Sequence, residues 1–230
     1  VTGGTINGVG IISNITNFSN GILISQDGGT GTLNAASNNT GLGFEVFDDL
    51  TTGDNNTGIG LQALTKLTTG TRNVAVGSEA LDVNTTGGDN VSVGANALGA
   101  NTTASNNTAV GRSALGANTT GTSNVAVGAN ALDANVSSSA NTAIGFNSLT
   151  TNTAASNTAV GKDSLEANTS GGSNTSVGAD SMAANTTGAE NVAVGANALD
   201  ANTTGASNVA VGQGALDTNT TASNNTAVGH

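Results

Sequence analysis

The fold of this chain of 230 residues is decided by the stretch from Asn73 to Asp89, which reads NVAVGSEALDVNTTGGD. Its opening pattern, Asn-(Thr/Val)-(Ala/Ser/Gly)-(Val/Ile/Leu)-Gly, occurs twelve times, and ten of the eleven steps between successive glycines are seventeen residues long. The glycines of the pattern are Gly43, Gly60, Gly77, Gly94, Gly111, Gly128, Gly145, Gly161, Gly178, Gly195, Gly212 and Gly229. A fixed short period indicates one structural unit stacked on copies of itself. The sequence therefore predicts a solenoid of 17-residue coils.

Each repeat is expected to begin with a short β-strand. Gly, Asn, Thr and Val are weak helix formers, and glycines fall inside every unit. Val74, Ala75 and Val76 fit a three-residue strand whose side chains alternate between two faces. We therefore predict an all-β fold, a parallel β-solenoid or β-roll.

Two apolar positions recur in each unit: the aliphatic residue before the glycine and, four residues after the glycine, a position held mostly by leucine. Stacked coils would align these positions into a narrow core. The predicted core ladder comprises Val76, Val93, Val110, Val127, Ile144, Val160, Val177, Val194, Val211, Leu81, Leu98, Leu115, Leu132, Leu149, Leu165, Met182, Leu199 and Leu216.

The middle position of the strand is always small. An exposed strand would accept a long polar side chain there, so we expect close contact on this face with another chain, in addition to the strand's own coil. The predicted close-contact column is Ala75, Ser92, Ala109, Ala126, Ala143, Ala159, Ser176, Ala193 and Ala210.

Corners and loops complete the unit. One asparagine opens the strand, as Asn73 does, and a second follows the leucine by three residues, as Asn84 does. Asparagine tolerates left-handed corners and can form hydrogen bonds between stacked copies. The glycine after the strand fits a corner that requires positive φ or close backbone approach. The single 16-residue unit is expected to lose its residue in a loop, between Asn152 and Asn157.

The sequence divides into two regions. Residues 1–38 do not follow the period, and we predict an N-terminal connector or cap there, because solenoids need an atypical unit where the core would otherwise be open. Residues 39–230 form the predicted solenoid of about twelve repeats, the last of which is truncated. Leu50 and Leu67 replace the second asparagine, so the first two coils are expected to pack against the cap.

Composition argues against several classes of function. Four basic residues against fifteen acidic ones give a net charge of −11, which argues against nucleic acid as a partner. No apolar run approaches the roughly 18 residues that a membrane span requires, so membrane insertion of this segment is not expected. There is no cysteine, and His230 is the only histidine. We predict no catalytic residue, no cofactor and no metal site, and an enzyme is the least favoured class.

Two features leave alternatives open. The carboxylates at the turn after the leucine are interpreted as a solvated face, with a calcium column as the alternative; they are Asp82, Asp133, Glu166, Asp200 and Asp217. Sequons such as Asn84-Thr85-Thr86 are interpreted as turn chemistry, with N-glycosylation as the alternative.

The repeated string N-T-A-V-G-x-x-A-L-x-x-N-T-T-G resembles repeats of phage tail fibres. It is also similar to the head repeats of trimeric autotransporter adhesins, which form left-handed parallel β-rolls in trimers. The resemblance covers about residues 39–230. It implies a homotrimer of intertwined or side-by-side chains, with the Val76 column facing the coil core and the small column at crowded contacts.

These observations lead to three functional hypotheses. The first is the structural shaft of a trimeric viral or phage fibre that extends a receptor-binding tip for host attachment. The second is the head or stalk of a bacterial trimeric autotransporter adhesin. The third is an ice-binding β-solenoid, which is ranked low because most threonines fall in loops. The first two imply a location on the virion or the extracellular cell surface, with further virion or cell-surface components at both ends of the segment.

Overall fold

A computed structural model describes residues 3–6, 9–15, 18–25 and 35–229; in the first three ranges, Leu23 alone has a described side chain. The described residues form strands and turns and contain no helix, which confirms the predicted all-β class. They divide into two compact units. Unit 1 comprises residues 1–113 and 117–120, and unit 2 comprises residues 114–116 and 121–230. Each unit contains parallel β-solenoid coils with the predicted 17-residue repeat.

Unit 1 begins with an antiparallel meander and continues as solenoid coils. Strands β1 (Gly3–Ile6), β2 (Val9–Ile15) and β3 (Phe18–Ser25) pair antiparallel in sequence order. Strand β3 also pairs in parallel with β4 (Ala36–Ser37) and with β5, the first coil strand. The coil strands of unit 1 are β5 (Thr40–Leu42), β6 (Thr57–Ile59), β7 (Val74–Val76), β8 (Val91–Val93) and β9 (Thr108–Val110).

Unit 2 consists of the same coils. Each strand pairs in parallel with the next, and equivalent residues lie opposite each other, as Val194 does with Val211. The strands are β10 (Val125–Val127), β11 (Thr142–Ile144), β12 (Thr158–Val160), β13 (Thr175–Val177), β14 (Val192–Val194), β15 (Val209–Val211) and β16 (Thr226–Val228).

Backbone hydrogen bonds join successive coils in the turns as well as in the strands. In unit 1 the amide of Leu81 donates to the carbonyl of Ala97 at 3.2 Å, and that of Thr85 donates to Thr102 at 2.8 Å. In the opposite direction, the amide of Gly77 donates to Ile59 at 2.8 Å. A repeat of weak helix formers is therefore held by bonds between coils, which satisfy backbone groups that a turn would otherwise leave unpaired.

The glycine corner requires glycine on two counts. Gly94 has φ of +135°, a region that other residues rarely adopt. A Cβ atom on Gly94 would lie 2.5 Å from the carbonyl oxygen of Gly111 in the next coil. Both the positive φ and the close approach predicted for this corner are confirmed.

The first two coils, residues 39–72, carry larger apolar side chains than the later ones. Val46, Phe47, Leu50 and Leu67 are all fully buried. Glycine replaces alanine in the middle of β5 and β6, and a Cβ on Gly58 would lie 2.8 Å from Cγ1 of Val46. The small strand residue therefore compensates for the bulk opposite it.

The meander also contributes to this apolar start. Leu23 on β3 is fully buried, and a Cβ on Gly41 would lie 2.6 Å from its Cδ1 atom. Residues 1–2, 7–8, 16–17 and 26–34 of the predicted cap, together with His230, lie outside the described residues.

Candidate functional site

The structure reverses the two faces of the strand that the sequence predicted. The aliphatic position points away from the coil interior, and Val194 is 38% exposed; the small position points inward, and Ala193 is fully buried. The residues wrongly assigned to the interior are Val76, Val93, Val110, Val127, Ile144, Val160, Val177, Val194 and Val211. The residues wrongly assigned to contact with another chain are Ala75, Ser92, Ala109, Ala126, Ala143, Ala159, Ser176, Ala193 and Ala210, all of which are fully buried in their own coils.

The size limit at the strand centre comes from the interior of the coil itself. This narrow space is shared with the leucine column, the small residue before each leucine and buried asparagines, so a methyl or hydroxymethyl group fits. Where serine occupies the position, its hydroxyl finds an interior acceptor. Ser92 donates to the carbonyl of Ala97 at 2.7 Å, and Ser176 donates to that of Ser181 at 2.9 Å.

The leucine column lies in the interior. Leu81, Leu98, Leu115, Leu132, Leu149, Leu165, Met182 and Leu199 are fully buried, and Leu216 in the last full coil is half-buried. These residues adopt left-handed backbone conformations with φ between 50° and 55°. Such a conformation costs a leucine roughly 1–2 kcal/mol. The left-handed conformation persists because it directs the leucine side chain into the core while the backbone groups form hydrogen bonds with neighbouring coils.

The first asparagine column forms a continuous buried amide ladder within each unit. In unit 1, Nδ2 of Asn73 donates to Oδ1 of Asn56 at 3.1 Å and to the carbonyl of Gly87 at 2.8 Å. The backbone amide of Asn73 donates to the same Oδ1 at 2.9 Å. In unit 2, Asn191 makes the equivalent bonds to Asn174 and Gly205. Each of these two asparagines thus donates hydrogen bonds to the asparagine of the coil before it, which confirms the predicted hydrogen bonding between stacked asparagines.

The second asparagine column bonds to the first through shared backbone carbonyls. Nδ2 of Asn101 donates to Oδ1 of Asn84 and to the carbonyl of Ala104, both at 3.1 Å. The carbonyl of Ala104 also accepts from Nδ2 of Asn90 in the first column, at 2.9 Å. A buried carbonyl with both lone pairs engaged therefore joins the two columns.

A third ladder, of threonines, was not anticipated from the sequence. Oγ1 of Thr68 donates to the carbonyl of Thr85 at 2.9 Å, and Thr186 does the same to Thr203 at 3.0 Å. These bonds run toward the C-terminus, whereas the asparagine side chains donate toward the N-terminus. The repeated Thr-Thr pair was the available signal, but loop composition alone does not reveal which hydroxyl bonds to the next coil.

The 16-residue coil shortens at the predicted loop. Nδ2 of Asn152 donates to a carbonyl two residues later, whereas the equivalent Asn168 bonds three residues later. Nδ2 of Asn141 likewise reaches a carbonyl thirteen residues on, where Asn157 reaches one fourteen residues on. The first ladder continues through the deletion, because the backbone amide of Asn157 donates to Oδ1 of Asn141 at 2.9 Å. The second ladder resumes after it, where Nδ2 of Asn168 donates to Oδ1 of Asn152 at 2.7 Å. The predicted position of the deletion is confirmed.

The outer face of the sheet is uncharged in every coil. Its two columns hold only Thr or Val at the first strand residue and only Val, Ile or Leu at the third. Large apolar side chains on it are substantially exposed in the single chain, as Ile144 is at 40%. Exposed aliphatic side chains that recur in an uncharged column are typical of an interaction site.

Charged residues lie off this face, in the turns. Lys66 pairs with Asp49 at 3.2 Å and Arg72 with Asp89 at 2.6 Å, in both cases between adjacent coils and with exposed side chains. The hydrogen bond from Arg72 lowers the pKa of Asp89. Exposed pairs of this kind contribute little to stability.

Two carboxylates in the turn after the leucine are partly buried. Burial, with a smaller contribution from Glu79, raises the pKa of Asp82. Burial, followed by the charges of Asp180 and Asp217, raises the pKa of Asp200. In the described part of the chain, no group of three or more His, Asp or Glu side chains is placed to hold a metal ion. Nor does that part contain a helix that is long and apolar enough to cross a membrane.

The chain was compared with known proteins in three ways. No protein-family model, no curated protein and no solved structure matches it.

Proposed function

We propose that this chain is the structural shaft of a trimeric viral or phage fibre, which holds a receptor-binding tip away from the particle. The observation that carries the proposal is the uncharged outer face, whose third strand position is aliphatic in every coil of a chain with a net charge of −11. Three copies would bury this face against one another and direct their charged turns outward.

The bonds between stacked coils support a role in resisting tension along the stack. Successive coils are joined by backbone bonds at several turns, by the first amide ladder and by threonine hydroxyls, and later coils are also joined by the second amide ladder. Because these bonds lie along the stacking direction, pulling coils apart requires breaking many of them together. A repeat with a rise of about 4.8 Å per coil then sets length by repeat number.

Electrostatics favours the outer face as the contact between copies. Two chains that each carry a net charge of −11 repel unless their charged surfaces stay apart. The outer face carries no charge, and an exposed strand has no physical reason to retain an aliphatic residue at its third position in twelve of twelve coils. Val194 is 38% exposed in the single chain, so covering the exposed part of such a side chain is worth at most about 1 kcal/mol, and the gain accumulates over the coils.

The mass of the assembly tests the proposal. Three chains of 21.9 kDa give about 66 kDa, and we expect this mass by light scattering at micromolar concentration. The variant carrying Val177→Lys and Val194→Lys should keep its β-sheet circular dichroism but fall to one third of that mass, because the outer face accepts lysine but the interface does not. A matched control places two lysines in an exposed loop, as Thr187→Lys and Thr204→Lys, and should remain trimeric. A wild-type mass of 21.9 kDa would refute the proposal.

The shaft role has a second test, in length. Insertion of extra 17-residue repeats within unit 2 should lengthen the particle seen by electron microscopy by about 4.8 Å per repeat. A particle that widens without lengthening would contradict a shaft. The stalk of a bacterial adhesin would show the same behaviour, so this test does not separate the two owners.

One observation favours ice binding as a second candidate. The strand threonines, such as Thr142 and Thr158, lie on the outer face and are not confined to loops. An ice-binding chain would leave this face in water as a monomer. Thermal hysteresis of the purified protein, together with a monomer mass, would replace the shaft proposal with this one.

A further inference from the structure

The repeated outer face creates a problem of register for any assembly of copies. Most coils present Val or Thr followed by Val or Ile, at a spacing of about 4.8 Å along the stack. A copy that slips by one coil would bury nearly the same side chains as a copy in register. Strands with such equivalent alternatives are prone to slip.

The first two coils depart from this uniformity. Leu42 and Ile59 end strands β5 and β6, and Phe44 and Leu61 follow two residues later, beyond the glycine corner. These four side chains, which we call the register patch, are between 37% and 49% exposed. At the position of Phe44 and Leu61, most later coils carry small or polar residues: Ser78, Ala95, Arg112, Ala129, Lys162, Ala179, Ala196 and Gln213.

We propose that the register patch fixes the axial register in which copies of this chain assemble, by packing against the register patch of a second copy. This inference rests on the proposed assembly through the outer face. The patch carries no charge and lies on and directly beside that face, so a copy of the same highly acidic chain can approach it without bringing like charges together.

Only one axial alignment places all four bulky side chains of each copy against their counterparts. A slip of one coil separates the matching pairs and sets Leu61 of one copy opposite the small Ser78 position of the other. Unit 2 carries a second departure in a single coil, where Ile144 and Phe146 are 40% and 48% exposed. Unique bulky residues among uniform ones are an effective means of excluding wrong alignments.

Disulfide cross-linking reads the register directly, because the chain has no cysteine of its own. Val93→Cys and Val110→Cys are placed in separate chains, one coil apart on the outer face, and the two chains are refolded together in equal amounts and oxidised. In register, disulfides form only between chains carrying the same substitution. A slip of one coil produces disulfides between chains carrying different substitutions.

The test variant removes the bulk of the register patch with Leu42→Val, Phe44→Ala, Ile59→Val and Leu61→Ala. We expect its mixed disulfides to rise about tenfold over the parent, a factor that corresponds to about 1.4 kcal/mol. The control variant, with Ala179→Ser and Ala196→Ser at equivalent positions, should behave as the parent does.

The outcomes separate this inference from the proposed function. A monomer mass for the parent rejects the assembly itself. A trimer mass without any disulfide shows that the outer face does not lie between copies and rejects both. A trimer whose mixed disulfides are equally frequent with and without the patch rejects the register role alone and assigns the patch to a different partner.

Discussion

The first two coils and the later coils fill the same backbone path with different chemistry. At the second corner of the coil, Leu50 and Leu67 are buried where Asn84 and its successors carry the amide ladder. The backbone bond at this corner is the same in both regions: the amide of Leu67 donates to Leu64 at 3.3 Å, and that of Asn84 donates to Leu81 at 3.2 Å. The path therefore does not depend on asparagine, but on a side chain that either fills the corner or satisfies its polar groups.

The two regions also differ in how they divide volume across the core. The first coils combine glycine in the strand with Val46 and Phe47 opposite, whereas the later coils combine alanine with alanine and leucine. The total volume is held nearly constant, as close packing requires. Tests of this comparison exchange residues between the two regions.

The largest expected effect distinguishes two leucines three residues apart. Leu64→Asn should destabilise the protein by about 4 kcal/mol or more, because it leaves a cavity and an amide without partners. Leu67→Asn should cost only about 1–2 kcal/mol, because the new amide can donate to Gly70 and meet Asn84, which extends the second ladder by one coil. Thermal or denaturant unfolding measures both. Equal losses would show that the corner does not exchange leucine for asparagine.

The converse change gives a later coil the residue of an early one. Asn185→Leu should cost about 2–3 kcal/mol, because Asn168 and the carbonyl of Gly188 each lose a donor in the buried interior. Thr187→Leu in the exposed loop of the same coil should change stability by less than about 0.5 kcal/mol. If Asn185→Leu leaves the free energy of unfolding unchanged, the hydrogen bonds of the ladder do not stabilise the fold, and the asparagine side chain only fills space.

A double-mutant cycle tests the compensation of volume at the start of the solenoid. Gly58→Ala alone should cost about 1–3 kcal/mol, since its methyl group would press on Val46. Val46→Ala alone leaves a cavity. The double variant restores the alanine pair of the later coils, and we expect a favourable coupling of at least about 0.5 kcal/mol. If the losses of stability of the two single variants simply add in the double variant, contact with Val46 is not what limits the size of residue 58.

The smallest expected effect concerns charge in the later coils. Because the folded state raises the pKa of Asp200, the ionised carboxylate opposes folding at neutral pH, and protonation relieves that cost as the pH falls through the folded-state pKa. Asp200→Asn should therefore raise the melting temperature slightly at pH 7, and the gain should disappear below pH 3.8, the ordinary value of the group. A gain that persists there would have another cause.

The sequence predicted the repeat, the parallel all-β coil, the glycine corner and the site of the deletion, because each depends on local chemistry that recurs every seventeen residues. It did not predict which strand face is inward. An alternation of Val, Ala and Val assigns two faces but not their direction, and the usual preference of valine for the interior gave the wrong answer. The interior of this coil is so narrow that alanine fills it.

The left-handed leucines were also beyond sequence reasoning. Leucine carries no preference for positive φ, so a position such as Leu132, with φ of 53°, gives no sign of its conformation. Only the closure of the coil around its core requires it. Sequence reasoning also missed the candidate interaction face, because a column of aliphatic residues is normally assigned to a core.

Cysteine labelling of adjacent strand residues tests the central claim most directly. Single-substitution chains carrying Ala193→Cys or Val194→Cys are exposed to a maleimide, with no competing thiol in the protein. We predict that the Ala193→Cys chain reacts only when it unfolds. The Val194→Cys chain should be protected in the assembled protein and should react rapidly once Val177→Lys dissociates the folded copies. Rapid labelling of Val194→Cys in the assembled protein, or labelling of Ala193→Cys in the folded state, would contradict an inward alanine face and an outer face buried between copies.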